Sequence, residues 1–281
     1  MVKFNSKVKL GEGLTSEAYL LDGKFIQLIG RREDAYEIYS DLKANADLLE
    51  GKITCVNYPH NMTLIEKGNE FTYGSLIYPI VKGSPLKVEK LSSSELKEVA
   101  KKIVEFNKQL HSADIHWDRE WAINHEMEKV NRNINLLKDY LSEKEITSLK
   151  TYSKVFEKYL KSKENFCITH GDLWEDNLIV NEDNKLTGII DFGNMAYFLP
   201  EVDYASMWNM SKGFVDELIK LSSEDITKES VNLFIMHREL CFFEYALNQA
   251  QEEVPCQLEK IVEALSLVEN QLHEKCEEKE L

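Results

Sequence analysis

The stretch "FCITHGDLWEDNLIV", residues 166–180, sets His170, Gly171, Asp172 and Asn177 between two apolar runs. A connection that only turned the chain would need about two to five residues, with Gly, Asn or Asp at the turn positions. This loop is longer, and it keeps an Asp and an Asn five residues apart. Fourteen residues beyond Asn177, the segment "GIIDFGN" ends a second short apolar run in Asp191. Two strand-flanked loops of this kind, one giving Asp and Asn and the other Asp, can converge on a divalent cation and a hydroxyl. Phosphoryl transfer uses those parts: an Asp accepts the proton of the attacking hydroxyl, while an Asn and an Asp hold magnesium against the phosphates. Oxygen ligands without cysteine suit magnesium rather than zinc.

The elements around these loops are readable. "AYLLDGKFIQLI" puts Asp22-Gly23 between apolar runs and predicts a hairpin. Residues 31–50 read as a helix ended by Gly51. "GKITCVNYP" and "FTYGSLIYPIVKG" read as extended. After "GSPL", serines that can cap precede Leu96, Val99, Ile103, Phe106 and Leu110 at helical spacing. Residues 122–164 and those from about 201 onward read as helical. The pattern predicts a small N-terminal lobe of strands and one helix at 1–82, then a larger, mostly helical lobe at 83–281.

Composition narrows the class. The 281 residues are 43% hydrophobic and 30% charged, as in a soluble globular protein. No apolar stretch is long enough to span a membrane, and the N-terminus has no apolar core of a signal peptide. Cys55, Cys167, Cys241, Cys256 and Cys276 are odd in number, scattered and without a C-x-x-C pair. They argue against a disulfide framework or a zinc site, and for reduced thiols in the cytoplasm. The net charge is −15, and residues 201–281 hold 18 Asp and Glu against 7 Lys and Arg. That balance disfavours nucleic acid as a partner and would attract a cationic small molecule.

"HGDLWEDN" followed by "IIDFGN" resembles the paired motifs of the aminoglycoside phosphotransferase and choline kinase-like family, small-molecule relatives of protein kinases. The resemblance implies an α+β, bilobal protein-kinase-like fold with an antiparallel N-lobe sheet plus helix and a mostly helical C-lobe. It implies Asp172 as catalytic base and Asn177 and Asp191 as ligands of Mg2+. "LGEGLTSEAYL" matches the glycine-rich loop in position, with Gly11, Gly13, Ser16 where a third glycine would be, and Ala18. "IYPIVKGSPL" resembles the hinge, where backbone groups near Ile80 would pair with a nucleobase. "FLPEVDYASMW" resembles a further family segment, with Pro200 and Asp203 in place.

One departure matters. Family members carry a strand lysine that contacts the nucleotide phosphates and pairs with a helix Glu. Laying the pattern on without gaps puts Gln27 at the lysine and Asp41 near the Glu. A neutral Gln weakens a phosphate contact. Lys24, Arg31 and Arg32 are the nearby cations. Glu239 and Glu244 sit near one helical turn apart and could face a cationic acceptor. The expected activity is transfer of the γ-phosphoryl of ATP or GTP to a hydroxyl of a small, cationic molecule. The acceptor would be aminoglycoside-like, or an amino alcohol or amino sugar. The alternative is a kinase-like ligand-binding protein with little or no turnover.

Overall fold

A computed structural model of the chain describes residues 4–211 and 213–277, with side chains as far as residue 269. The Cys276 side chain lies outside the described residues. In chain order the elements begin with β1 (Lys7–Glu12), β2 (Ser16–Leu21), β3 (Phe25–Gly30), α1 (Ala35–Leu48), β4 (Thr63–Ile65), β5 (Ser75–Pro79) and β6 (Ser84–Pro85). There follow α2 (Ser93–His111), α3 (Arg119–Leu136), α4 (Glu143–Ser162), β7 (Cys167–Thr169), β8 (Leu178–Val180), β9 (Leu186–Ile189) and β10 (Ala196–Phe198). Among the described residues four helices follow: α5 (Glu201–Ala205), α6 (Phe214–Leu221), α7 (Lys228–Gln249) and α8 (Val254–Glu277).

The chain forms two compact units, Met1–Ala113 with Asp172–Met195, and Asp114–Gly171 with Ala196–Leu281. These units are cut differently from the lobes expected at residue 82, because α2 and the strands β8 and β9 group with the N-terminal sheet. In the first unit, a five-stranded antiparallel sheet has the order β1-β2-β3-β5-β4. The β2–β3 turn is the predicted one. Asp22 and Gly23 take positive φ of 48° and 65°, the hand that matches the twist of the flanking strands. The Asp22 carboxylate also accepts the backbone N–H of Asn5 and Ser6 at 2.8 and 2.7 Å. Helix α1 buries Ala35, Tyr39 and Ala46 with Met62 and Leu76. It stops before Gly51, whose φ is +74°.

The "GKITCVNYP" segment departs from expectation. It forms no strand, only a single parallel bridge from Asn57 to Gly188. Asn57 donates its N–H to Thr187 and accepts from Ile189, both at 2.9 Å, and Pro59 lacks the donor that a longer ladder needs. Helix α2 follows its prediction. Ser92 caps it, with the Glu95 carboxylate accepting the Ser92 N–H at 2.8 Å, and Val99, Ile103, Phe106 and Leu110 are buried. Its neighbours β6, β8 and β9 make a three-stranded sheet in that order.

In the second unit, the helical stretch expected at 122–164 is two helices. A second capping box, Ser142 with Glu145, starts α4. The S-x-x-E pattern that marks this break is present in the sequence. Among the described residues, no helix is long and apolar enough to cross a membrane.

Candidate active site

The loop after β7 is held at its entry by one buried carboxylate. The backbone N–H of His170 donates to Asp203 Oδ2 at 3.0 Å, and that of Gly171 donates to Oδ1 at 2.7 Å. Asp203, in α5, and His170 are both wholly buried. Gly171 has φ +78°, a conformation that few side chains tolerate. The chain then passes half-buried Asp172 and buried Leu173, and turns through a single 3-10 turn at Glu175–Asn177. That turn explains the five-residue spacing. It brings the Asn177 side chain back over Asp172, so that Nδ2 donates to the Asp172 carbonyl at 2.9 Å and to its carboxylate Oδ2 at 3.3 Å. The amide nitrogen is engaged inward, so the side-chain oxygen Oδ1 is the amide's other polar atom.

Asp191 is brought to the same end of the sheet by the β8–β9 ladder. Leu178 pairs with Ile189, and one step on the Ile190 N–H donates to the Asn177 carbonyl at 2.9 Å. Asp191 itself is left-handed, with φ 65° and ψ 70°, and its Oδ1 accepts the Gly193 N–H at 3.3 Å. The next residue, Phe192, is buried edge-on against Tyr58 and Phe106. Its carbonyl accepts from Asn45 Nδ2 of α1 at 3.1 Å. Burying Phe192 thus fixes where the exposed Asp191 carboxylate points. It lines a cavity of 380 Å³ together with Gly13, Ser16, Leu28, Tyr39 and Tyr78.

The residues read as nucleotide-binding divide. Gly13 and Ser16 line this cavity, and Gly11 lies on β1 opposite Ala18. A Cβ at Gly11 or Gly13 would meet nothing within 4 Å, so the protein's own packing does not demand glycine at either position. The Ser16 hydroxyl accepts from Tyr39 at 2.7 Å. The N–H of Ile80 donates to the Lys24 carbonyl at 2.9 Å, so that donor extends the end of the β3–β5 ladder rather than facing a base. Arg31 is a brace, not a free cation: Nη1 donates to the Gly13 carbonyl at 2.7 Å, and its N–H donates to Thr15.

Gln27 does not stand where the lysine was expected. It is buried, and its Nε2 donates to Ser75 Oγ at 3.1 Å. Gln27 pairs with Ile77, and Leu28 with Leu76 and Ala18. Side chains opposite one another share a face of the sheet, and neighbours alternate. The face toward α1 and the cavity therefore carries Ala18, Leu28, Leu76 and Tyr78, all of them lining residues, while Gln27 lies on the other face. Leu28, one residue on, is a β3 side chain that lines the cavity. Counting outward from the Asp22-Gly23 turn pairs Leu28 with Ala18 of the glycine-rich segment, and that signal was available. Asp41 is exposed, and α1 instead presents Ile38, Tyr39 and Leu42 to the cavity. Where a lysine–glutamate pair was sought, this chain has apolar side chains.

Glu239 and Glu244 are both engaged. Buried Glu239 accepts from Trp208 Nε1 and Arg238 Nη1, each at 2.8 Å, and from Gln257 Nε2 at 2.7 Å. Glu244 accepts from Arg132 at 3.0 and 2.8 Å, and that hydrogen bond holds its carboxyl below the ordinary range. Neither is a free carboxylate for a cationic acceptor.

Comparison with known proteins identifies the fold and the family. Residues 30–224 match the model of the phosphotransferase enzyme family. The GDP and kanamycin complex of APH(2")-IIIa superposes with a TM-score of 0.79 at 19% identity, covering 94% of each chain. The gentamicin complex of APH(2")-IIa gives 0.74 at 18%, covering 95% of this chain and 94% of that one. The macrolide 2'-phosphotransferase MphH from Brachybacterium faecium gives 0.64 at 16%, over 92% of both. The fold is the kinase-like α+β fold of these proteins. With the family model running from Gly30 at the end of β3 through the Asp172 loop and Asp191, the chain belongs to the phosphotransferase enzyme family.

Proposed function

We propose that the protein transfers the γ-phosphoryl of ATP or GTP to a hydroxyl of a small, cationic molecule of the aminoglycoside or amino-sugar kind. One observation carries this reading: Asn177 clasps Asp172 while the β8–β9 ladder brings Asp191 to the same sheet end, at the mouth of a cavity. Asp172 would accept the proton of the attacking hydroxyl. The Asn177 side-chain Oδ1 and the Asp191 carboxylate are hard oxygen donors without a thiol or imidazole among them, a set that fits Mg2+. When bound, Mg2+ would neutralise charge on the phosphates. Residues 1–82 would supply the nucleotide lobe, with the backbone at Gly11 and Gly13 approaching the phosphates. That role fits glycines whose missing side chains leave open space.

The cationic character of the acceptor is supported by the acidic balance of residues 201–281 and by the kanamycin and gentamicin in the similar structures. Electrostatic attraction of this kind weakens as salt screens it.

A second reading has its own observation. With Leu28 in place of a cation and Asp191 the one charged residue among those lining the cavity, the site would grip a triphosphate weakly, and the protein would bind ligand with little turnover. A panel of aminoglycosides, amino sugars and amino alcohols with magnesium–ATP and magnesium–GTP separates the two. Phosphorylated acceptor detected by mass establishes the transferase. Acceptor binding by calorimetry without product establishes the binding protein.

A further inference from the structure

Away from the Asp172 loop, three side chains of the second compact unit converge on one point. Glu126 lies on α3, and His237 and Cys241 lie one turn apart on α7. His237 Nε2 is 2.9 Å from Glu126 Oε2 and 3.7 Å from Cys241 Sγ, and the three donor atoms all lie within 4.8 Å of one another. The other Glu126 oxygen accepts from Lys129 Nζ at 2.9 Å, which orients the carboxylate with Oε2 toward the histidine.

The arrangement is not that of a proton relay. A relaying histidine engages one partner through each ring nitrogen. Here both partners face Nε2, and Nδ1 is buried with no hydrogen-bond partner. The ring is packed among aromatics, stacked on Phe156 at 5.2 Å and tilted against Phe198 at 5.5 Å. All of the polar chemistry of the imidazole is directed at the point where the thiol and carboxylate also aim. Nitrogen, thiolate sulfur and carboxylate oxygen are the donors of zinc sites.

We propose that Glu126, His237 and Cys241 bind a zinc ion, with a fourth position left to water. Tetrahedral zinc holds its nitrogen and sulfur ligands about 3.6 Å apart at ordinary bond lengths, which matches the Nε2–Sγ separation. Nitrogen and oxygen ligands would stand about 3.4 Å apart, so the Glu126 carboxylate need retreat only by about half an ångström. A thiolate and a carboxylate neutralise the dication, and the thiol proton is released on binding. The ion would clip α3 to α7. The sequence carries half of the signal: His237 and Cys241 have the i,i+4 spacing that puts two ligands on one helix face. Glu126 is more than a hundred residues away, and only the fold supplies it.

Cobalt titrated into the full-length protein tests this, in excess magnesium so that oxygen-only sites are filled. Wild type should take up one equivalent, with thiolate-to-cobalt charge-transfer absorption and the intense visible bands of tetrahedral cobalt. Zinc should then bleach them. Cys241→Ser, a near-isosteric change at a half-buried position, should remove the charge-transfer band and weaken binding by more than about tenfold. Glu126→Gln should weaken binding with the band retained, and Cys256→Ser, at an exposed cysteine, should change nothing. Zinc should raise the unfolding temperature of wild type and not that of Cys241→Ser. Wild type without the charge-transfer band, or a band that persists in Cys241→Ser, would overturn the proposal and leave a histidine–carboxylate ion pair beside a free thiol.

Discussion

Gln27 donates from Nε2 to Ser75 Oγ at 3.1 Å, and Ser75 Oγ in turn donates to the Leu28 carbonyl at 2.7 Å. This chain of two hydrogen bonds lies on the face of the sheet opposite the cavity, and it satisfies a side chain buried at 5% exposure. Gln27→Lys would therefore put an ammonium in place of a buried, hydrogen-bonded amide. We expect a loss of about 2–4 kcal/mol in denaturant unfolding and no gain in nucleotide affinity. Leu28→Lys puts the same charge on the cavity face, across from Asp191. We expect it to tighten magnesium–ATP binding by about tenfold, equivalent to about 1.4 kcal/mol. Calorimetric titration of both variants decides the matter, and tighter binding by Gln27→Lys alone would refute the assignment of faces.

Asp172→Asn should lower phosphate transfer by about 10²–10⁴, the ordinary worth of a positioned general base, with the unfolding transition unchanged. Asn177→Ala removes both the clasp on Asp172 and a proposed metal ligand. Its turnover should fall with a raised magnesium requirement, which Asp172→Asn should not share. Steady-state rates against magnesium concentration measure the difference.

Asp203→Ala would strand the N–H groups of His170 and Gly171 in a buried place. Losing a charged acceptor for two donors should cost about 2–5 kcal/mol. Asp203→Asn keeps one acceptor oxygen and should recover part of that. Urea midpoints rank the three proteins, and equal midpoints for wild type and Asp203→Ala would mean that these donors find other partners.

Burial holds the Glu201 carboxyl above its ordinary range near 4.5, against the opposing hydrogen bond from Tyr159. The unfolded chain releases this proton at lower pH than the folded one, so Glu201 lowers stability progressively as pH rises from 4.5 through its raised value. Glu201→Gln lacks this slope. Relative to that variant, wild type should lose unfolding temperature between acid and neutral pH. A constant difference across the range would show that Glu201 titrates normally.

Much of this was open to reading in advance. The Asp22-Gly23 turn and the Ser92 cap depend on residues within a few positions of one another, so local chemistry sufficed. The spacing of Asp172, Asn177 and Asp191 was legible because one ladder joins the two loops. Errors arose where the deciding contact is distant or depends on parity. Gln27 and Leu28 differ by one residue, which in a strand is the whole difference between two faces. Glu239 and Glu244 read as available because the residues that engage them are distant in sequence: Trp208 in the turn after α5, Gln257 on α8 and Arg132 on α3. The segment around Asn57 reads as a strand by composition, yet only Asn57 of it pairs with β9, in a single bridge.

Asp191 sits in left-handed backbone at φ 65°, and this narrows what mutation can reach. Only glycine, and less often asparagine or aspartate, adopts that geometry readily. Glutamate would keep the charge and strain the chain, asparagine would keep the chain and lose the charge, and glycine would lose the side chain altogether. The demands of this conformation and of the proposed metal ligation overlap at aspartate alone among the twenty residues. A saturation library at codon 191 should therefore favour glycine, asparagine and aspartate when selected for soluble expression, and aspartate alone when selected for the proposed phosphate transfer.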